Sequence, residues 1–151
     1  EREMKTDNIN KMPLYPIGVV LIILLYAGSC NKPPLVERFY SIEISNNSIG
    51  TICPYLALGE GLTQYPDTTL PLDRPALVKI APNKRFYYDS RKTWSQRIDE
   101  LAADTLSIFI IYANVYQDSS WSVIRDHYLI LKRFDLSVDD LKSMNWKVGY
   151  P

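Results

Sequence analysis

The feature that most constrains the fold is a nine-residue stretch at 105–113, TLSIFIIYA, in which almost every residue is apolar and several are β-branched. A run of this length and composition is typical of a β-strand that is buried on both faces. Such a strand needs hydrogen-bonded neighbours at its edges and an apolar layer on each side. We therefore predict that 105–113 is the central strand of a β-rich domain.

Other strand patterns flank this one. The segment 39–45, FYSIEIS, alternates so that its apolar residues share one face, which indicates a half-buried strand. The segment 51–58, TICPYLAL, is apolar, and Pro54 within it favours an edge strand or a bulge because proline cannot donate to a ladder. Further strands are predicted at 76–80, 85–89, 128–134 and 146–150.

Short helices are predicted between the strands, at 93–101, 118–128 and 137–144. The first begins at Thr93 with Gln96 three residues later, and the third begins at Ser137 with Asp140 in the same place, which is the pattern of a capping box. About seven short strands at this spacing predict a mainly β fold, an antiparallel β-sandwich with immunoglobulin-like or Greek-key connections and two or three short helices. A small α+β roll is the alternative.

A second apolar run, at 17–27, lies near the N-terminus. It would span about 16 Å as a helix, whereas a bilayer core of about 30 Å needs roughly 20 apolar residues. The run therefore has the length of a signal-peptide core. Lys5 and Lys11 precede it and small residues follow it, as in a signal peptide.

The small residues lead directly to Cys30, and 27–30, AGSC, is similar to a bacterial lipobox, with Ala27 where leucine is usual. In a lipobox the cysteine becomes the lipidated first residue of the mature protein, and its acyl chains hold the protein on a membrane. We expect a removed signal peptide at 1–29, a lipidated cysteine and tether at 30–38, and a single β-rich domain at 39–151. An ordinary cleaved signal or an uncleaved anchor is the alternative.

Charge and motifs exclude several classes of function. The 17 basic and 17 acidic residues balance, which gives no electrostatic case for nucleic-acid binding. His127 is the one histidine, and no cysteine–histidine cluster has metal-ligand spacing, so we expect no metal and no other cofactor. No nucleophile elbow, phosphate loop or dinucleotide fingerprint occurs, so we predict no catalytic residue and a non-enzymatic protein. Cys53, in an apolar stretch, is expected to be a buried core residue.

Aromatic residues are the one excess, with 11 Tyr, 4 Phe and 3 Trp. Large, stiff, amphipathic side chains favour binding surfaces, although they also favour strands. Four tyrosines fall in loops or near strand ends and form the candidate binding surface: Tyr65, Tyr87, Tyr88 and Tyr116.

The segment 118–151 ends in RFDLSVDDLKSMNWKVGYP and resembles the C-terminal tail of small uncharacterised lipoproteins of Bacteroidales-type gut anaerobes. YPDTTL at 65–70 is similar to another segment of that group. The resemblance is good over about a third of the chain. It implies a location in the cell envelope and a β-rich fold, but no activity.

These observations favour a lipid-anchored envelope protein that acts as a non-enzymatic binding or interaction module. An envelope carbohydrate-binding or hydrolytic protein with an aromatic-lined site is one alternative, and an immunity- or inhibitor-type lipoprotein is another. The first acidic residue after Cys30 is Glu37, and Asn31 differs from the aspartate that retains some lipoproteins in the inner membrane. We therefore expect attachment to the inner leaflet of the outer membrane, facing the periplasm, with surface exposure as the alternative. The expected partners are the membrane, through the lipid, and a protein or glycan of the envelope.

Overall fold

The computed structural model describes residues 40–59 and 65–151, so the expected signal peptide and tether at 1–38 lie outside the described residues. The strands, in chain order, are β1 (Tyr40–Asn46), β2 (Ile52–Ala57), β3 (Lys84–Ser90), β4 (Leu106–Tyr112), β5 (Lys132–Leu136) and β6 (Lys147–Tyr150). The α-helices are α1 (Trp94–Asp99), α2 (Ala113–Asp118), α3 (Trp121–Asp126) and α4 (Val138–Ser143), and a 3₁₀ turn covers Ala102–Asp104. Among the described residues, none of these helices is long and apolar enough to cross a membrane.

The six strands form two sheets of three. Sheet A has the order β3–β1–β6, and sheet B has the order β2–β4–β5. Every pairing is antiparallel except that of β1 with β6, which is parallel. A small β-rich fold with short helices is therefore confirmed, but purely antiparallel pairing is wrong at this one place. The two parallel strands lie near opposite ends of the domain in sequence. Parallel neighbours need a long connection between them, whereas a tight hairpin joins antiparallel strands.

Sheet B is built around the strand that the sequence marks as central. β4 lies between β2 and β5, and six of its seven residues are buried. Its two faces belong to different apolar clusters, with Ile108 and Ile110 on one side and Phe109 and Ile111 on the other. The prediction for 105–113 is confirmed. Pro54 lies in β2, an edge strand, as the missing N–H requires.

Both sheets contribute to the first apolar cluster. Sheet A supplies Ile42, Ile44 and Val148, and sheet B supplies Ile108 and Ile110, all of them essentially without exposed surface. A hydrogen bond also links the sheets, because the Tyr88 hydroxyl donates to the carbonyl oxygen of Pro54 over 3.2 Å. The two sheets therefore share one core.

The second cluster covers the other face of sheet B. There the segment that leads to β3 is held by side chains that donate to its backbone carbonyl groups. The Trp121 indole N–H donates to Pro71 over 2.9 Å, and the Arg125 Nε donates to Leu70 over 3.2 Å. From residue 65 onward, the long predicted loop at 59–75 is thus fixed by the side chains of neighbouring helices.

Local patterns predicted the helix starts well and the remaining boundaries less well. Thr93 with Gln96 and Ser137 with Asp140 form complete capping boxes, as predicted. The helix predicted at 118–128 is α3, and the preceding helix α2 was not predicted, since it has no side-chain N-cap that could have announced it. Four α-helices therefore occupy the described residues, where the sequence predicted two or three.

Two predicted strands also differ from the structure. The segment 76–80 contributes only a single bridge, between Ile80 and Ile52, so six strands rather than seven lie in the described residues. The strand predicted at 128–134 begins at Lys132, because Tyr128, at φ 50°, ends α3 in a Schellman motif. In that motif the Leu129 N–H donates to Ile124 over 3.0 Å.

Candidate functional site

The four tyrosines of the predicted binding surface lie in different environments. Tyr87 is on the outward face of sheet A and is 47% exposed. Tyr88, the next residue of β3, faces the core and packs edge-on against Phe86, with ring centroids 5.0 Å apart. Burial raises the pKa of Tyr88 to about 12. Of these two neighbours, only Tyr87 offers its ring to a ligand.

Tyr116 and Tyr65 lie on the side of sheet B. The Tyr116 hydroxyl donates to Pro75 over 2.5 Å, and the Arg74 guanidinium stacks 4.2 Å from the Tyr116 ring centroid and also donates to the Tyr116 carbonyl oxygen. Tyr65 lies beside Arg133, whose guanidinium carbon is 5.9 Å from its ring centroid. Tyr116 therefore fastens the loop, and the four tyrosines are divided between the two sheets. The lipidation site predicted at Cys30 lies outside the described residues.

The remaining candidates for chemistry have structural surroundings. Cys53 has no exposed surface, and burial raises the pKa of its thiol, with Lys79 acting in the opposite direction. His127 follows α3, and its Nδ1 is 3.2 Å from the Val123 carbonyl oxygen. Within residues 40–59 and 65–151, no group of three or more His, Cys, Asp or Glu side chains could hold a metal ion.

Sequence reasoning missed a polar cluster on the second face of sheet B. Arg133 Nε donates to Asp135 over 2.7 Å, Arg133 Nη2 donates to Ser107 over 3.3 Å, and the Ser107 hydroxyl donates to Asp135 over 2.5 Å. The Arg133 side chain is only 12% exposed and lies 5.2 Å from the Phe109 ring centroid. Ser107, the one polar residue between Leu106 and Tyr112, was the available signal. Asp135 balances the charge of Arg133. Since Ser107 lies in β4 and the other two residues lie in β5, the cluster ties β4 to β5.

The best formed surface feature is the turn after β1. Asn46 is completely buried, and its side-chain nitrogen donates to the carbonyl oxygens of Gly50 and Ile80, both at 2.8 Å. Its side-chain oxygen accepts from the Ser48 N–H over 3.0 Å and from the Ser48 hydroxyl over 2.6 Å. The turn is thus held from inside, while Ile49 at its tip is 98% exposed.

A groove of about 550 Å³ opens beside this turn. Residues 49–51 form one wall, and Lys79, Tyr112, Asn114 and Gln117 line the rest. A second groove, of about 280 Å³, shares Tyr112 and is lined by Val115 and residues 128–131. We call the two adjoining grooves, with Ile49 at one end, the Tyr112 surface.

Tyr112 is held firmly between the grooves. A Cβ atom at Gly50 would lie 2.9 Å from Tyr112 Cε1, so the turn and the ring pack without room for a side chain. Burial, together with the neighbouring Tyr112, raises the pKa of Tyr150. The Tyr112 surface is therefore a preformed combination of apolar, amide and hydroxyl groups with a single cation.

Two other grooves have a different character. A cleft of about 250 Å³ is lined by Tyr40, Trp94, Trp146 and three hydroxyl-bearing residues. The Trp94 indole N–H donates to the Tyr40 carbonyl oxygen over 2.9 Å, and only 3% of Trp94 is exposed.

A groove of about 370 Å³ brings Asp99, Asp104 and Asp139 to one side of the molecule together with Lys142. The acids of this groove are solvated or paired, as Asp139 is with Lys142 at 3.2 Å.

Comparison with known proteins finds no matching family model, no similar curated protein and no similar solved structure. The resemblance of the C-terminal tail to the gut-anaerobe lipoproteins therefore stays a prediction.

Proposed function

We propose that this protein is a non-enzymatic binding module of the bacterial cell envelope, anchored by lipid at Cys30, and that its partner is another protein. The observation that carries the proposal is the Tyr112 surface, where two adjoining grooves lie beside a rigid turn with an exposed isoleucine. Exposed apolar surface beside preformed grooves is typical of a site that contacts another protein.

The chemistry of these grooves favours binding over catalysis. Their polar groups are amides, hydroxyls and the Lys79 ammonium, and these donate and accept hydrogen bonds without forming a nucleophile–base pair. An immunity- or inhibitor-type role is one form of this function, because such a protein acts by covering its partner.

Two finer points belong to the same proposal. The shared core and the bond between Tyr88 and Pro54 support a β-sandwich arrangement of the two sheets, with Greek-key or immunoglobulin-like connections modified by the parallel β1–β6 pair. The AGSC sequence supports a lipid at Cys30, and the residues that follow it, with Asn31 in second place and no acid before Glu37, support a domain at 39–151 that faces the periplasm.

The test is crosslinking in the bacterium that makes the protein. Intact cells receive a membrane-permeant crosslinker, and the full chain is isolated under denaturing conditions and examined by mass spectrometry. We expect one discrete adduct with the same envelope protein in each replicate. A chain that gives no discrete adduct, although it is abundant in the envelope, contradicts the proposal.

Carbohydrate binding is a second candidate, favoured by the cleft that combines Tyr40 and Trp146 with the hydroxyl groups of Ser41, Thr93 and Ser95. Aromatic rings suit the apolar faces of a sugar, and hydroxyls suit its edges. Titration of tryptophan fluorescence with N-acetylglucosamine and galactose tests it, with Tyr40→Ala as the matched variant. A saturable change that Tyr40→Ala removes supports this candidate, and an unchanged spectrum rules it out for these sugars.

A further inference from the structure

We propose that Ile49 is the anchor of this contact, inserting into an apolar pocket of a folded envelope protein while Lys79 pairs with a carboxylate at the rim of that pocket. The inference rests on the proposed function and adds to it the residue that penetrates the partner and the chemistry of the partner's surface.

The turn is rigid before any partner arrives. The nitrogen of the Asn46 side-chain amide donates to the carbonyl oxygens of Gly50 and Ile80, and its oxygen accepts two hydrogen bonds from Ser48. The Ser48 hydroxyl closes the turn further by donating to Gly50 over 3.0 Å. A segment that is already fixed loses little conformational entropy on binding, which is the condition for an efficient anchor.

Ile49 has no role in the core of its own chain. It is 98% exposed, whereas Ile42 and Ile44 in the preceding strand have no exposed surface. Turns favour polar residues and glycine, and an isoleucine at this position leaves almost its whole side chain in solvent without stabilising the fold. Its burial by a partner would remove that apolar surface from water, and the few side chains that fill pockets of a partner carry most of the energy of an interface.

The surroundings of Ile49 suit an interface. Tyr112 lines both grooves, and the second groove also carries Tyr128 and Leu129, which are 43% and 37% exposed. The surface beside Ile49 is therefore mixed in the first groove, where Asn114 and Gln117 add amide groups, and mostly apolar in the second. A partner that covers these grooves shields one side of Ile49 from water.

Charge decides the chemistry of the partner. Lys79 is the only charged side chain that lines either groove, and it forms no salt bridge within the described part of the chain. A partner with a carboxylate at this place gains an ion pair, whereas a partner with a cation is repelled. The partner is therefore a folded protein whose apolar pocket is bordered by Asp or Glu.

The experiment has two stages and uses the full chain. First, a photo-crosslinking amino acid replaces Gln117, which lines the first groove, and in a control chain it replaces Leu72, which is 79% exposed elsewhere on the surface. Irradiation of living cells identifies the protein that is captured from Gln117 and not from Leu72. Second, that protein is purified, and its affinity is measured for the wild type and for Ile49→Ser, Lys79→Glu and Leu72→Ser.

We expect Ile49→Ser to weaken binding at least fivefold and Leu72→Ser to weaken it less than twofold. Lys79→Glu should also weaken binding at least fivefold at low ionic strength, and the loss should shrink as salt is added because salt screens exposed charges. The melting temperatures of Ile49→Ser and the wild type should agree, because the Ile49 side chain is 98% exposed.

The outcomes separate the inference from the function on which it rests. A partner that binds Ile49→Ser with less than a fivefold loss overturns the anchor but leaves the binding function intact. An adduct between two copies of this chain also overturns the anchor, since the proposed occupant is a different protein. If neither Gln117 nor any crosslinker captures a partner, the proposed function fails with it.

Discussion

The Asn46 side chain donates a 2.8 Å hydrogen bond to the carbonyl oxygen of Ile80, and this bond connects the end of β1 in sheet A to the residue that bridges β2 in sheet B. Ile80 and Ile52 also exchange backbone hydrogen bonds of 3.0 and 2.8 Å. One buried amide therefore determines both the shape of the turn that presents Ile49 and the place where the two sheets meet.

Replacing Asn46 with alanine should destabilise the fold markedly. The substitution removes two donors and leaves the carbonyl groups of Gly50 and Ile80 without these partners, which costs about 2–3 kcal/mol. Urea unfolding followed by circular dichroism measures the loss. Asn47→Ala, at the exposed neighbouring position, is the control and should change stability by no more than about 0.5 kcal/mol. Equal stabilities for the two variants would contradict the role of the amide.

Tyr88 should make the stability fall at high pH. Burial raises its pKa to about 12, and an unfolded tyrosine titrates near pH 10. As the pH rises, the unfolded state releases its proton first, so the free energy of unfolding falls between about pH 10 and 12, by about 2 kcal/mol from this residue. The fall begins above the unfolded pKa and ends at the folded pKa.

The measurement for Tyr88 compares wild type with Tyr88→Phe across that pH range. Tyr88→Phe should cost about 1 kcal/mol at pH 7, because it loses the hydrogen bond to Pro54, and should lose less stability than wild type above pH 10. Tyr87→Phe, on the exposed face, should follow wild type. A pH dependence that is the same in all three proteins would refute the burial of the Tyr88 hydroxyl.

Asp135 should matter more than a typical surface acid. It balances Arg133, whose side chain is 12% exposed, and it accepts from Ser107. Asp135→Ala leaves a largely buried guanidinium without its counter-ion, and we expect a loss of about 2 kcal/mol. Asp139→Ala is the matched control, because Asp139 is 91% exposed where it pairs with Lys142 and exposed pairs contribute little. Thermal unfolding that ranks the two variants equally would contradict the prediction.

What the sequence could predict depended on the range of the interactions. The strand at 105–113 and the caps at Thr93 and Ser137 follow from patterns that neighbouring residues impose on one another. The parallel pairing of β1 with β6 is a long-range contact with no local signature. The first two β-strands were visible from their apolar patterns, but the direction and partner of each strand were not.

The same limit applies to the site. NNSIG at 46–50 reads as a turn, yet the burial of Asn46 under Ile80 depends on a segment more than thirty residues away. In KRF at 132–134, strand alternation places Lys132 and Arg133 on opposite faces but does not indicate which side chain is the more buried. The strand register, which pairs Arg133 with Phe109, determines that Arg133 is the more buried one. The tyrosines were identified by residue type, whereas the sheet on which each one lies is a property of the fold.

Cys53 should be protected from thiol reagents in the folded protein. It has no exposed surface, and its raised pKa keeps its sulfur in the protonated thiol form, which is less reactive than the thiolate. We expect maleimide labelling at Cys53 to be slow in buffer and fast in urea, with peptide mass spectrometry reporting the site. Ile49→Cys, at the 98% exposed tip of the turn, supplies a thiol that should react quickly under native conditions. Native labelling of Cys53 as rapid as that of the turn thiol would show that the strand is not packed as described.

Cys30 should decide where the protein resides. If its thiol carries the lipid, Cys30→Ala should leave the chain unprocessed or release it from the membrane fraction, because multiple acyl chains supply stable membrane affinity and a single chain is marginal. Mass spectrometry of the wild-type mature chain should find a modified Cys30 as its first residue, and protease treatment of intact cells should leave a periplasmic domain uncut. Cys53→Ala is the control, since it removes the other cysteine of the chain and should not alter membrane attachment. An unmodified mature N-terminus at another position would contradict the anchor, and digestion of the domain on unbroken cells would place it on the cell surface.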